Sequence, residues 1–290
     1  MICNLCPRHC SALRTETQGE GFCGMPAGIV AAKAMLHHWE EPCLSGTRGA
    51  GCVFFTGCNL GCVYCQNGSI SRENFGKPIT PARLREIFDE LIAQGAHCID
   101  LVTPTIYAPW ILEALEKPLS VPVVWNCGGY ESVEQLRTLE GKVQIYLPDI
   151  KYADSALSLD LSKARDYPEI AAAAVEEMFR QVGPYRFVED GLLKRGVIVR
   201  HMVLPGQLEN TKRVIDFVAS RFSPGDILFY LMSQYTPQNG AKGALSRRIT
   251  GAEYRAAVDY MRACGITDGF VQEKSSAKEE YTPIFDLSGI

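Results

Sequence analysis

The sequence predicts an α/β fold in which helices cover a parallel sheet. Short apolar runs recur about six times along the chain, and segments with apolar residues at helical spacing separate them. Near-continuous apolar strands that alternate with helices are typical of parallel sheets buried on both faces. A closed barrel of eight such units would need more chain, so we predict a partial (β/α)6 barrel of the TIM type with an N-terminal cysteine-rich extension.

Each element is predicted from a local pattern. The first strand lies at 52–56, and Thr80 and Pro81 fit the N-cap and first position of a helix that runs to Gly95. The later strands are predicted at 98–103, 122–126, 143–148, 197–203 and 227–232, with helices at 107–116, 132–139, 168–182 and 211–221. Thr250 and Glu253 form a capping box that begins a last helix, and a short strand at 269–272 is expected at the barrel edge.

Length and composition favour one barrel-sized domain with a small extension. The 290 residues are 47% hydrophobic, enough for a sizeable core, and we place the extension at residues 1–50 and the barrel domain at 51–290. A net charge of -4 gives no basic field, so neither nucleic acid nor an anionic membrane is an expected partner. The start of the sequence lacks the regions of a signal peptide, and no run reaches the roughly 18 apolar residues of a membrane span, so we expect a cytoplasmic location.

Three cysteines, Cys58, Cys62 and Cys65, lie within eight residues just after the first strand. Twelve cysteines in a chain without a secretion signal indicate metal binding in a reducing compartment and not a disulfide framework. Thiolates bind zinc, copper(I) and iron–sulfur clusters, and gaps of three and two residues allow one loop to ligate three corners of a cubane. Zinc and unligated thiols are the alternatives, although a closed structural zinc site needs a fourth ligand and usually shows paired Cys-x2-Cys spacing.

A second group of cysteines lies in the extension: Cys3, Cys6, Cys10 and Cys23. Four thiols can close a tetrahedral zinc site or hold a full 4Fe-4S cluster. The alternative is that they are reduced cysteines of a small loop-rich cap. A Cys-x2-Cys pair with a third and a fourth cysteine nearby favours a second metal site, with zinc and iron–sulfur both open.

Polar residues follow or end most of the predicted strands, at the end of the barrel where ligands bind. They are Thr103 and Thr105, Asn126, Asp149 and Lys151, Arg200, and Gln234 and Tyr235. Asp149, Lys151 and Arg200 match a zwitterionic amino acid with ribose hydroxyls, and the alternative is an ion pair that closes the barrel mouth. The run His37-His38-Trp39-Glu40-Glu41-Pro42 resembles a metal or acid–base cluster. Neighbouring histidines before a proline more often lie in a connecting segment, so we interpret it as a connecting segment without a functional role unless the fold turns it inward.

The run Gly57-Cys58-Asn59-Leu60-Gly61-Cys62-Val63-Tyr64-Cys65, which follows a strand, resembles the signature of the radical S-adenosylmethionine (SAM) superfamily. The resemblance implies that Cys58, Cys62 and Cys65 hold a 4Fe-4S cluster whose fourth iron binds the methionine part of SAM. It also implies a partial (β/α)6 barrel with the cluster on the loop after the first strand. A one-electron reductant such as flavodoxin or ferredoxin would reduce the cluster, and SAM would be cleaved to methionine and a 5'-deoxyadenosyl radical that abstracts hydrogen.

Further runs resemble a narrower branch, the pyruvate formate-lyase activating enzyme-like proteins of the PflX type. They lie at 6–10, 146–152, 200–206 and 232–237. This likeness implies that Asp149, Lys151 and Arg200 lie near SAM and that a glycyl radical enzyme is the partner. Asn126 is expected at the same strand ends. Tyr64, between the second and third cysteines, is either a packing aromatic or, because of its place beside the cluster, a shelf for a flat cofactor ring. The run at 103–105, Thr-Pro-Thr, departs from the Gly-Gly-Glu that binds the SAM amino group in many of these enzymes.

The sequence therefore leaves more than one function open. We expect a radical SAM oxidoreductase, which either installs a glycyl radical on a protein partner or acts on another peptide or metabolite. The rival from another class is a non-catalytic iron–sulfur or zinc protein, an electron carrier or a scaffold, for which the cysteines alone would suffice. That rival does not explain a site with three cysteines and one open iron.

Overall fold

The computed structural model describes residues 1–238, 240–272 and 283–290. The strands are β1 (Ile2–Cys3), β2 (Ala12–Leu13), β3 (Ile29–His37), β4 (Ala50–Phe55), β5 (Lys77–Ile79), β6 (Ile99–Val102), β7 (Val123–Cys127), β8 (Ile145–Pro148), β9 (Arg186–Phe187), β10 (Leu193–Met202), β11 (Leu228–Met232) and β12 (Gly269–Val271). The α-helices are α1 (Pro42–Ser45), α2 (Gly68–Ser71), α3 (Pro81–Ala93), α4 (Ala108–Ala114), α5 (Val133–Thr138), α6 (Ser155–Ser162), α7 (Tyr167–Val182), α8 (Leu208–Arg221) and α9 (Gly251–Ala263).

One large sheet forms the centre of the fold, with the strand order β12-β11-β10-β8-β7-β6-β4-β3-β5. The strands from β4 to β12 along this order pair in parallel, whereas β3 and β5 add antiparallel pairs at the other edge. Among the described residues the two edge strands, β5 and β12, do not pair with each other. The barrel is therefore open, and the predicted α/β fold with a partial barrel is confirmed.

The predicted strands and helices are present with small changes at their ends. The Thr80 side chain caps α3 by accepting a hydrogen bond from the Arg83 N–H, and the predicted capping box is formed at the start of α9. The sequence did not predict α6 or β3. Strand β3 lies within residues 1–50 but pairs with β4 along most of its length, so part of the predicted extension joins the large sheet.

Strand side chains alternate between two apolar regions. Val53, Leu101 and Val199 pack with the helices that cover the sheet, whereas Phe54, Val102 and Ile198 face the inside of the barrel. Because successive side chains point to opposite faces, residues two positions away from the inward ones also point inward. This alternation directs the polar side chains of β6 and β10 into the barrel.

Both ends of the described chain attach to the barrel. Near the N-terminus, Arg8 donates hydrogen bonds to the carbonyl oxygens of Asn59, at 2.8 Å, and Ser162, at 3.2 Å. At residues 283–290, the Leu287 N–H donates to the Ala32 carbonyl and the Ser288 carbonyl accepts from Ala34, both at 3.0 Å, so this segment runs beside β3. The Phe285 ring meets Phe54 inside the barrel at a centroid distance of 5.5 Å.

Candidate active site

A cavity of about 650 Å³ extends into the barrel from the carboxyl ends of the parallel strands. Its walls include the three cysteines of the predicted cluster, Cys58, Cys62 and Cys65. The five side chains predicted at the cofactor site also line it: Tyr64, Asn126, Asp149, Lys151 and Arg200. The structure thus brings together residues that lie up to 142 positions apart in the sequence (58 to 200).

The loop that carries the three cysteines follows β4 and is held close to the protein. Gly57 begins it with a φ of 79°, and a Cβ atom at this position would lie 2.3 Å from Cγ of Met25. Glycine is therefore required there, both for the left-handed backbone and for the close approach of Met25. This geometry starts the loop directly at the cavity wall.

The donors around the three cysteine sulfurs fit a bound iron–sulfur cluster. Cys58 Sγ accepts from the Leu60 N–H at 3.3 Å, Cys62 Sγ from the Ser162 hydroxyl at 2.9 Å, and Cys65 Sγ from the Ser71 hydroxyl at 3.3 Å. Each of these bonds favours a negatively charged thiolate, which is the form that ligates iron. The fourth corner of a cubane would be left to a ligand in the cavity.

A chain of hydroxyl groups continues from one of these sulfurs. The Ser162 hydroxyl, which donates to Cys62 Sγ, lies 2.6 Å from the Tyr152 hydroxyl, and this oxygen lies 2.7 Å from the Tyr64 hydroxyl. Tyr64 is only 5% exposed and lines the cavity beside Cys65. The Tyr64 ring is therefore connected to the Cys62 sulfur through hydrogen bonds.

Asp149, Lys151 and Arg200 form one ion-pair network. Asp149 lies 2.5 Å from Lys151 Nζ and accepts from Arg200 Nε at 2.9 Å. Burial alone would raise the pKa of Asp149, but the two cations outweigh it and lower the pKa. Arg200 also donates to the Asn126 amide oxygen at 2.6 Å. The cations on β10 and after β8 are thus fixed by a carboxylate that stays ionised.

Glu40 and Glu41 reach the same network from the opposite end of the barrel. Because β3 runs antiparallel to β4, the segment after it enters from the amino ends of the parallel strands. Glu40 Oε1 lies 3.2 Å and Glu41 Oε1 3.5 Å from Nη1 of Arg200. The interpretation of residues 37–42 as a connecting segment without a role is therefore wrong for the two glutamates, which were directed inward by a strand that the sequence did not predict.

Around Arg200 the carboxyl groups outnumber the cations: Glu40 lines the cavity wall, and Asp100 and Glu41 lie buried behind it. Asp100 on β6 is fully buried, and its Oδ2 accepts from the Asn126 amide at 3.1 Å. Asp100 Oδ1 and Glu41 Oε2 are buried without a hydrogen-bond partner among the described residues. Burial raises the pKa of Glu40 and of Asp100 to about 7 and that of Glu41 to about 8. In the sequence, the sign that Asp100 belongs to the site was its charge within the otherwise apolar run at 98–103.

Three groups of possible metal ligands differ in how close their ligand atoms lie to one another. Oxygen or sulfur atoms of Glu40, Cys52 and Asp100 all lie within 4.8 Å of one another. Within the described part of the chain, neither the three loop cysteines nor any three of the four N-terminal cysteines are as close as this. A single tetrahedral ion needs such close ligands, whereas a cluster of several irons holds its thiolates farther apart.

Other predicted residues lie near the cavity with different partners. Thr103 lines the cavity with a φ of 60°, whereas the Thr105 hydroxyl donates to buried Glu131. His201, next to Arg200, points away from the barrel and contacts the Ile150 carbonyl and the Thr211 hydroxyl. His201 and Arg200 thus point to opposite faces of β10, as successive residues of a strand do.

The model of the radical SAM superfamily matches residues 52–218, which include the cysteine loop and the strands around the cavity. The chain belongs to the radical SAM superfamily. The superfamily binds SAM at a 4Fe-4S cluster and cleaves it reductively to a radical, and these are the general activity and cofactors of this radical SAM protein.

Among the described residues, no helix combines the length and apolar character needed to cross a membrane.

Two relatives and one solved structure resemble this radical SAM protein. A protein of Methanocaldococcus jannaschii that is named only as uncharacterized is 29% identical over 270 residues, which span 89% of this chain and 73% of the relative. A 7-carboxy-7-deazaguanine synthase of Methanothermobacter thermautotrophicus is 36% identical over 67 residues, 22% of this chain and 27% of its own. SuiB of Streptococcus suis, solved bound to S-adenosylmethionine, matches 75% of this chain and 48% of its own with a TM-score of 0.52 and 12% identity, which shows the shared fold.

Proposed function

We propose that this protein uses the Cys58, Cys62 and Cys65 cluster to cleave SAM and that the radical acts on a substrate held inside the barrel. A 4Fe-4S cluster held by these residues would supply the one electron needed for reductive cleavage of SAM to methionine and a 5'-deoxyadenosyl radical. The observation that carries the proposal is that three thiols with hydrogen-bond donors open onto the same cavity as the ion-pair network.

Asp149, Lys151 and Arg200 are proposed to hold SAM, each in a different way. Asp149 accepts one of the three N–H bonds of the Lys151 ammonium, so Lys151 can also donate to a SAM carboxylate or ribose hydroxyl. Arg200 already donates to Asp149, Glu40 and Asn126 and therefore keeps this group in position. Tyr64 offers an aromatic face next to the cluster loop for the adenine ring.

The floor of the cavity favours a substrate that carries a positive charge. Glu40, Glu41 and Asp100 surround Arg200 together with Asp149, and two of their carboxylate oxygens have no partner in the described residues. A cationic group in the cavity could pair with Glu40, which lines the wall, and would favour the ionised form of the carboxyl groups around Arg200. This favours a peptide or small molecule with a cationic group over an acidic one.

A glycyl radical enzyme is the second candidate substrate. The likeness of the runs at 146–152 and 200–206 to glycyl radical enzyme activases supports it. Such a partner would insert a glycine-containing loop, and basic residues beside that glycine would meet the carboxylates of the cavity floor. The two candidates differ in whether the product radical stays on a protein.

SAM cleavage by anaerobically reconstituted protein tests the first step. With a strong one-electron reductant, the wild-type protein should form 5'-deoxyadenosine, and Cys58→Ala, Cys62→Ala and Cys65→Ala should each abolish it, because a cubane held by two thiolates is easily lost. Cys264→Ala, at the end of α9 and away from the cavity, is the matched control and should keep the activity. Activity that survives in any of the three loop variants would contradict the ligand assignment.

The substrate class needs a separate measurement. Peptides with deuterated lysine or arginine side chains should transfer deuterium to 5'-deoxyadenosine, whereas matched glutamate peptides should not. For the second candidate, a partner protein should show a glycyl radical by paramagnetic resonance after incubation with the active enzyme. Transfer from acidic peptides alone would contradict the role of the carboxylates while leaving SAM cleavage intact.

A further inference from the structure

The four cysteines of the N-terminal extension lie together next to the SAM-binding loop. Cys3 and Cys6 are buried and Cys23 is half-buried. Cys10 is exposed, but a Cβ atom at Gly21 would lie 3.0 Å from Cys10 Sγ, so this thiol faces the turn that carries Cys23. Cys6 interacts electrostatically with Cys3 and Cys23, and Cys23 with Cys3 and Cys10. Residues separated by up to 20 positions thus form one group of thiols.

Hydrogen-bond donors point at three of these four sulfurs. The Arg8 N–H donates to Cys6, and the Met25 N–H donates to Cys23. Each donor lies two residues after its cysteine, the same relation as Leu60 to Cys58 in the SAM-binding loop. The buried guanidinium of Arg14 lies 3.8 Å from Cys3 Sγ. Burial raises the pKa of Cys6 and Cys23, and these donors oppose that rise, an arrangement that suits sulfur atoms which ligate a metal.

We infer that Cys3, Cys6, Cys10 and Cys23 bind an iron–sulfur cluster of their own. A zinc ion forms bonds of about 2.3 Å to sulfur, which places its ligand sulfurs about 4 Å apart. No three of these four sulfurs lie within 4.8 Å of one another, and the loop cysteines of the radical SAM motif are spread in the same way. Four thiolates match the full ligand set of an iron–sulfur cluster.

The second cluster has no free coordination position, in contrast to the cluster at Cys58, Cys62 and Cys65. All four of its corners are occupied by cysteine, so SAM cannot bind to it. Arg8 connects the two regions, because its backbone N–H contacts Cys6 while its side chain binds the Asn59 carbonyl beside Cys58. The second cluster therefore fixes the turn from which Arg8 holds the SAM-binding loop.

Metal analysis of a variant without the first cluster tests this inference. The full-length Cys58→Ala/Cys62→Ala/Cys65→Ala protein, reconstituted anaerobically with ferrous iron and sulfide, should retain iron and acid-labile sulfide. After reduction it should give a paramagnetic resonance signal that added SAM does not change. A further Cys23→Ser substitution should remove most of this iron, whereas Cys264→Ser in the same background should leave the iron content unchanged.

Two results would overturn the inference. Zinc bound without sulfide would identify a structural zinc site, and the absence of metal from a variant with wild-type circular dichroism would identify four ordinary thiols. Because the variant itself could fail to fold, iron and sulfide are also counted in the intact protein. A count of only about four irons for each chain, one cubane, would contradict a second cluster.

Discussion

Replacement of Glu41 by Gln should make the protein more stable relative to wild type as the pH rises. Burial raises the pKa of Glu41 from 4.5 to about 8, despite the attraction of Arg200. Because the folded state then holds a proton that the unfolded state has lost, the free energy of unfolding falls with increasing pH between these two values. The glutamine variant has no such loss, so its stability relative to wild type increases over the same range.

The size of this effect follows from the two pKa values. One pKa unit corresponds to about 1.4 kcal/mol, so the whole difference between 4.5 and about 8 corresponds to roughly 5 kcal/mol. Roughly half of this, about 2 to 3 kcal/mol, falls between pH 6 and pH 8.5. For 290 residues, an unfolding entropy of about 2.1 cal/mol/K for each residue means that 1 kcal/mol moves the thermal midpoint by about 1.6 °C, so the difference between variant and wild type should change by about 4 °C.

Thermal unfolding of anaerobically reconstituted wild type and Glu41→Gln at pH 6 and pH 8.5 measures this change. The exposed residue Glu113 on α4 provides the control, since Glu113→Gln should keep a constant offset from wild type. If the offset of Glu41→Gln is also the same at both pH values, the Glu41 carboxyl does not titrate in this range. The inference that burial keeps Glu41 protonated near neutral pH would then be wrong.

Two further predictions concern the cofactors. Asp149→Asn and Arg200→Ala should each weaken SAM binding by about tenfold or more, because a charge-assisted contact worth roughly 1.5 to 3 kcal/mol is lost. Titration of the reduced cluster with SAM, followed by paramagnetic resonance, measures the affinity for SAM. Unchanged affinity in both variants would show that the network is an ion pair that closes the barrel. Loss of iron from the variants would show that the network supports the structure and does not bind SAM. Ser162→Ala should lower the reduction potential of the cluster by about 40 mV, if the hydrogen bond from Ser162 to Cys62 stabilises the reduced form by about 1 kcal/mol more than the oxidised form. An unchanged potential in a redox titration would contradict this stabilisation.

Parts of the fold with a strong local pattern could be predicted from the sequence. The parallel strands are near-continuous apolar runs, and α3 and α9 carry their own N-caps. Helix α6 was missed because Leu157, Leu159 and Leu161 alternate with period two and form no apolar stripe. Its local signal is the side chain of Asp154, which caps the helix by accepting from the Leu157 N–H.

The candidate site was predicted where its residues follow parallel strands and missed where they arrive from elsewhere. Asp149 and Lys151 follow β8 directly, and strand direction alone places them at the carboxyl end of the barrel. Glu40 depends on β3, whose apolar run contains Lys33 and was not recognised as a strand. Lys33 is accommodated by Asp286, at a distance of 2.8 Å and 253 positions further along the chain, which local reasoning cannot find.

The segment at 283–290 completes the wall of a cavity whose other residues lie much earlier in the sequence. Pro283 lines the cavity and Phe285 packs on Phe54, so one wall of the cavity is missing until these residues dock beside β3. Synthesis proceeds from the N-terminus, and contacts between residues this far apart form late because a long loop must close first. A nascent chain can therefore complete its cysteine loop before its reaction chamber is shut. Because Pro283 and Phe285 complete one wall of the cavity, the shielding of a radical inside the barrel depends on residues that lie more than 200 positions after the cysteine loop.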